Sequence, residues 1–105
     1  MGENFLHIYE TLFKKTFSES GFNSCYGASP EICEWLWNQV EVKVKKETHL
    51  LVTLHFLKCY PTFEVLSATY RISERFCREV VWNTIDALDE CLFVFPSFFF
   101  FLFLR

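Results

Sequence analysis

The stretch at residues 47–60, ETHLLVTLHFLKCY, limits the fold more than any other part of the chain. Leu50, Leu51, Leu54, Phe56 and Leu57 recur at helical spacing, but they spread over a broad surface rather than one stripe. A helix that is apolar over most of its circumference must be enclosed by other elements. Pro61 stops it, and Thr62 is placed to cap another helix. The chain has to supply the enclosing partners from 105 residues, enough for one domain with a modest core.

Helical periodicity supplies those partners. In residues 4–18, Phe5, Leu6, Ile8, Tyr9, Leu12, Phe13 and Phe17 fall mostly on one face, with Glu10 and Lys14 an i,i+4 pair on the other. This predicts a first helix running to about residue 19, stopped by Gly21 and followed by a loop over residues 21–29. Ser29-Pro30-Glu31 is a helix start: a capping hydroxyl, a proline for the first turn, and an acid at the positive end of the dipole. Ile32, Leu36 and Val40 continue that helix, with Trp35 beside them and Trp37 off the face. VEVKVKK at residues 40–46 alternates like a strand, but no partner strand is visible, so a frayed helix end or loop is expected.

Beyond Thr62, the residues Phe63, Leu66 and Tyr70 predict a short helix. Ser73 caps the next one and Glu74 suits its first turn. It continues through Phe76, Cys77, Val80, Val81, Ile85 and Leu88 to about residue 92. The expected fold is all-α, a small bundle of four to five helices. The expected organisation is an N-terminal helix and loop at 1–24, a main domain at 25–90, and an apolar tail at 91–105.

That tail, CLFVFPSFFFFLFLR, carries no charge for 14 residues from Cys91 to Leu104. A membrane helix needs about 20 apolar residues. The run is shorter and contains Pro96, so a membrane role is not expected; a core segment and non-native or truncation-derived sequence are the other readings, and the abrupt change in composition after Glu90 favours the latter. Five cysteines, an odd number without a CxxC pair, argue against a disulfide framework or zinc ribbon. No basic leader precedes an apolar run at the N-terminus. The expected location is intracellular, in a reducing compartment.

Residues 62–83, TFEVLSATYRISERFCREVVWN, have the form of a helix-turn-helix: a capped short helix, a tight connection and a second serine-capped helix. Leu66, Ser67, Tyr70, Ile72, Cys77 and Val80 fit its inward positions. The second helix would enter the major groove by its N-terminal end and present Ser73, Glu74, Arg75 and Arg78. Arg75 and Arg78 suit guanine edges or phosphates, while Lys58, Thr62 and Arg71 suit the flanking backbone. Arg71 occupies the turn position where glycine is usual, at a cost of about 1 kcal/mol. A plainer reading stands beside this one. Glu74 with Arg78 and Arg75 with Glu79 form i,i+4 pairs, which would make the arginines solvated ion-pair partners. The net charge of −3 also requires any DNA-binding charge to be local.

GASPEICEWLWN (residues 27–38) followed by HLLVTLHFLKCYPTFEVLSATYRISERFCREVVWNTIDAL (residues 49–88) resembles the N-terminal region of Harbinger/PIF-type transposase-derived proteins, which carry a DDE-superfamily endonuclease domain. The likeness covers roughly residues 25–90 and lies in the order and spacing of its segments. It implies recognition of double-stranded transposon-end DNA in the nucleus, with cutting done by a further domain. That nuclease domain is not among these residues, so the expected chain is a fragment that is not itself an enzyme, and no cofactor is expected.

Asp86, Asp89 and Glu90 share one helix face and read as a solvated surface rather than a metal site. His55 and Cys59, with His49 earlier, lack the further ligands a zinc site needs and read as a satisfied histidine beside a buried thiol. Two rival functions remain open: a helical interaction module that self-associates or docks a partner protein through apolar surface, and a non-functional transposon remnant.

Overall fold

The computed structural model describes residues 3–14 and 16–91. Among these residues it is all-helical, with six helices rather than four to five: α1 (Glu3–Phe13), α2 (Glu19–Tyr26), α3 (Pro30–Val40), α4 (Glu47–Cys59), α5 (Phe63–Tyr70) and α6 (Glu74–Cys91). The expectations for the apolar tail beyond Cys91 fall outside the described residues.

The additional helix lies where a loop was expected. α1 stops at Phe13, and Lys14 turns the chain with φ 54°. The Glu10 carboxylate faces the turn and accepts from the Phe17 N–H at 2.9 Å. Ser18 then caps α2, its hydroxyl accepting from the Gly21 N–H at 3.0 Å. Gly21 is therefore in the first turn of a helix and is not a stop. A Cβ there would lie 2.6 Å from Ser18 Oγ and 2.8 Å from the Tyr9 hydroxyl, so only glycine lets α2 sit this close to α1. The stop is Gly27, left-handed at φ 73°, against which the Lys58 side chain lies so closely that a Cβ would be 3.2 Å from its Cδ.

The remaining elements begin at the caps the sequence marks. Ser29 accepts from the Ile32 N–H, and Pro30 opens α3. Thr62 accepts from the Val65 N–H at 3.2 Å and Ser73 from the Phe76 N–H at 3.1 Å. The alternating residues after Val40 form a turn that leads into α4.

α4 is the central helix and packs against α2, α3, α5 and α6. Leu50, Leu51, Val52, Thr53, Leu54 and Leu57 are all buried. Thr53 satisfies its hydroxyl by donating to the His49 carbonyl one turn back, at 3.0 Å. Around α4 lie Phe5 and Tyr9 of α1, Phe22 and Tyr26 of α2, Leu36 and Val40 of α3, Leu66 of α5, and Val81 and Leu88 of α6, in one continuous core. Burying each such side chain contributes about 1.5–3 kcal/mol. Trp37 packs half-buried at the core's edge, whereas Ile32, Trp35 and Phe76 lie at the surface.

Three polar side chains bridge the packed helices. His55 Nδ1 lies 2.9 Å from the Tyr70 hydroxyl, which donates to the Tyr26 hydroxyl at 3.1 Å. This chain of contacts ties α4, α5 and α2 together. Burial holds His55 below the ordinary histidine range and pushes both tyrosines up.

Candidate nucleic-acid interface

α5, its connection and α6 form a tightly determined unit. The Arg71 N–H closes α5 onto the Ser67 carbonyl, and the Ile72 N–H reaches the same oxygen at 3.1 Å. Arg71 is left-handed at φ 59°, as the glycine-like position in the sequence requires. Ser73 follows and caps α6. Leu66, Tyr70, Cys77 and Val80 are buried between the helices and the core, while Ser67 and Ile72 are half-buried.

The seven residues singled out from the sequence all have solvent-accessible side chains, but they are not gathered at one point. Ser73, Glu74 and Arg75 stand at the start of α6, with Arg71 just before them. Arg75 is 92% exposed and only loosely paired with Glu79, at 3.9 Å. Arg78 is held at both ends of its charge: its Nη2 donates to Glu74 Oε1 at 2.6 Å, and its guanidinium lies 5.2 Å from the Phe63 ring centroid. Thr62, next to Phe63, is committed to capping α5. Lys58, half-buried, is further away, its stem laid over Gly27.

No family model, curated protein or solved structure matches this chain. The chemistry of this surface must therefore be read from its own residues.

On the opposite flank of α6, a groove runs between that helix and the α3–α4 connection. Lys43, Lys45, His49, Phe76, Glu79, Asn83 and Thr84 border it. A second groove, bordered by Lys46, His49, Ile72 and Phe76, continues it towards the start of α6. The His49 and Phe76 rings meet edge to face at 5.7 Å between them. Burial, then Lys46 and Lys45, hold His49 below the ordinary histidine range. These lysines were legible in the sequence only as part of an alternating stretch. The cluster of three cations in four residues was the signal, and it gained meaning once the fold laid the segment beside α6.

Other candidates resolve into structural roles. Cys59 is exposed rather than buried: its thiol donates to the Ser24 carbonyl at 3.3 Å, with the Cys25 carbonyl at 3.6 Å, and so serves free acceptors at the end of α2. Cys33 and Cys77 are buried thiols whose ionisation burial pushes up. Asp86, Asp89 and Glu90 are exposed, and Glu90 pairs with Lys43 at 2.9 Å. Among the described residues no three histidine, cysteine or acidic side chains come together to hold a metal, and no helix is long and apolar enough to cross a membrane.

Proposed function

We propose that this protein binds double-stranded DNA through a helix-turn-helix formed by α5 and α6, with α6 as the helix that enters the major groove. The observation that carries this reading is the start of α6. A short helix, a three-residue connection with a left-handed first residue, and a serine cap together present the fully exposed Arg75, with Arg71 and Arg78 near it. A helix approaching DNA by its N-terminal end places such side chains against base edges and phosphates. The resemblance of residues 25–90 to transposase-derived proteins supports the same partner and motivates a nuclear, non-enzymatic role as the DNA-reading part of such a protein.

A second reading is favoured by one specific observation. Tyr60, Val65 and Trp82 are each more than half exposed. Phe56 connects two of them, meeting Tyr60 and Trp82 edge to face and stacking on Phe63 at 5.1 Å. Aromatic surfaces of this kind suit protein docking.

Amide shifts recorded while a short random duplex is added separate the two readings. DNA binding predicts shifts concentrated in residues 71–79. A folded chain whose amides do not move contradicts it and leaves the aromatic surface as the functional one.

A further inference from the structure

We infer that the α3–α4 connection is a second phosphate-holding element, with Lys45 and Lys46 gripping the DNA backbone on the flank of α6 opposite Arg78. The inference rests on the DNA-binding reading and extends it to residues outside α5 and α6.

Charge pairing is the first argument. Lys43 is neutralised by Glu90 at 2.9 Å, Arg78 by Glu74 at 2.6 Å, and Arg75 loosely by Glu79. Among the described residues, neither Lys45 nor Lys46 has a carboxylate within salt-bridge distance. Glu47, the nearest acid in the chain, is turned towards α1, where its Oε2 accepts from Asn4 Nδ2 at 3.0 Å. Two adjacent exposed cations without a salt-bridge partner are available to a polyanion without first breaking an internal pair, although Glu79 borders the same groove as Lys45.

Position is the second. At about 100° per residue, Phe76 and Arg78 lie roughly 200° apart around α6. The Lys45 and Lys46 grooves border the Phe76 side. The Phe63 ring and the capped start of α5 border the Arg78 side. Arg75 projects between them. Phosphate contacts from elements beside a helix seated in the major groove fix its register, and the lysine pair occupies the flank that α5 leaves open.

His49 provides a built-in reporter. The charged and titratable groups facing it are Lys43, Lys45 and Lys46 from the connection, Glu79 from α6, and the buried Tyr70 phenol. A phosphate seated on the lysines would cancel the positive field that, together with burial, disfavours the imidazolium.

The test uses the full chain and a random-sequence duplex, with affinity measured across a salt series for the wild type, Lys45→Gln/Lys46→Gln, Lys45→Arg/Lys46→Arg and Arg75→Ala/Arg78→Ala. Each phosphate contact contributes a slope of about 0.9 in log affinity against log salt. Losing both lysines should make the slope shallower by about 1.8 and weaken binding at about 0.1 M salt by a factor on the order of tens. The arginine replacements should restore it. In the wild type the His49 ring titration should move up when duplex is added, and in the glutamine variant it should stay. Melting curves check that each variant is folded. A wild-type slope in the glutamine variant, with binding still lost in Arg75→Ala/Arg78→Ala, overturns the lysine contact and leaves the α6 reading standing. A folded wild type that binds no duplex overturns both.

Discussion

Arg78 Nη2 lies 2.6 Å from Glu74 Oε1, one turn earlier on α6, so a cation expected to meet DNA is already paired on its own helix. The pair is roughly half exposed, and such pairs contribute about 0–1 kcal/mol. Glu74 also sits in the first turn of α6, where a negative charge is favourable. Glu74→Gln should therefore lower stability slightly, by less than about 1 kcal/mol. It should also raise duplex affinity at low salt about threefold by freeing Arg78 and removing a charge that repels phosphate. Denaturant titration and anisotropy on the same sample read both effects. An unchanged or weaker affinity would place Arg78 outside the interface.

Arg71 is the second position where stability and binding should part. Its φ of 59° disfavours a side chain. Arg71→Gly should stabilise the fold by about 1 kcal/mol. If that turn faces DNA as proposed, the same change should remove a cation from it and make the salt slope shallower by about 0.9. A destabilised Arg71→Gly chain would show that the side chain makes a contact worth more than the backbone strain.

The caps differ in how closely they bear on the proposed interface. Ser73→Ala removes the hydroxyl that accepts from the Phe76 N–H and should cost about 1 kcal/mol, seen as a lower denaturant midpoint. Because α6 starts at that cap, duplex affinity should fall with it. Ser29→Ala should cost a similar amount through α3 and leave affinity unchanged.

The burial of His55 makes stability depend on pH. Burial holds His55 below its ordinary value of 6.5 in the folded chain. As pH falls below 6.5 the unfolded chain takes up a proton that the folded chain resists, so stability is full above that value and declines as pH falls towards the folded one. His49 is shifted in the same direction and adds to the decline. Urea midpoints measured at descending pH should fall for the wild type and fall less steeply for a His49→Gln/His55→Gln variant. Tyr70→Phe should cost about 1–3 kcal/mol at neutral pH, because it removes the hydroxyl that donates to Tyr26 and meets the His55 ring.

How much of this was legible in the sequence depended on whether the signal was local. Ser29-Pro30, Thr62 and Ser73 are caps whose chemistry acts within three residues, and the structure starts helices at each. The buried run of α4 was legible because a nearly all-apolar helix has one place to go. Gly21 misled because glycine's commonest role beside a helix is to end it, while its role here is to let the Tyr9 hydroxyl approach, a contact between two helices. The break at Lys14 was hidden because the apolar spacing from Phe5 to Phe17 continues across it: Tyr9 and Phe13 of α1, Phe17 of the connection and Phe22 of α2 share one aromatic cluster. Of the candidate interface, the start of α6 could be read from its cap and arginines. The neighbourhood of Lys45 and Lys46 could not, since it depends on α3, α4 and α6 meeting in space.

The central claim is that α6 presents its N-terminal arginines to DNA. The measurement that tests it most directly is duplex affinity across a salt series for the wild-type chain beside Arg75→Ala/Arg78→Ala. The account predicts that log affinity falls steeply and linearly with log salt in the wild type, and that the double variant, folded to the same extent, loses most of its binding at every salt concentration. Affinity in the double variant equal to the wild type's, or no binding by the folded wild type at low salt, would contradict it.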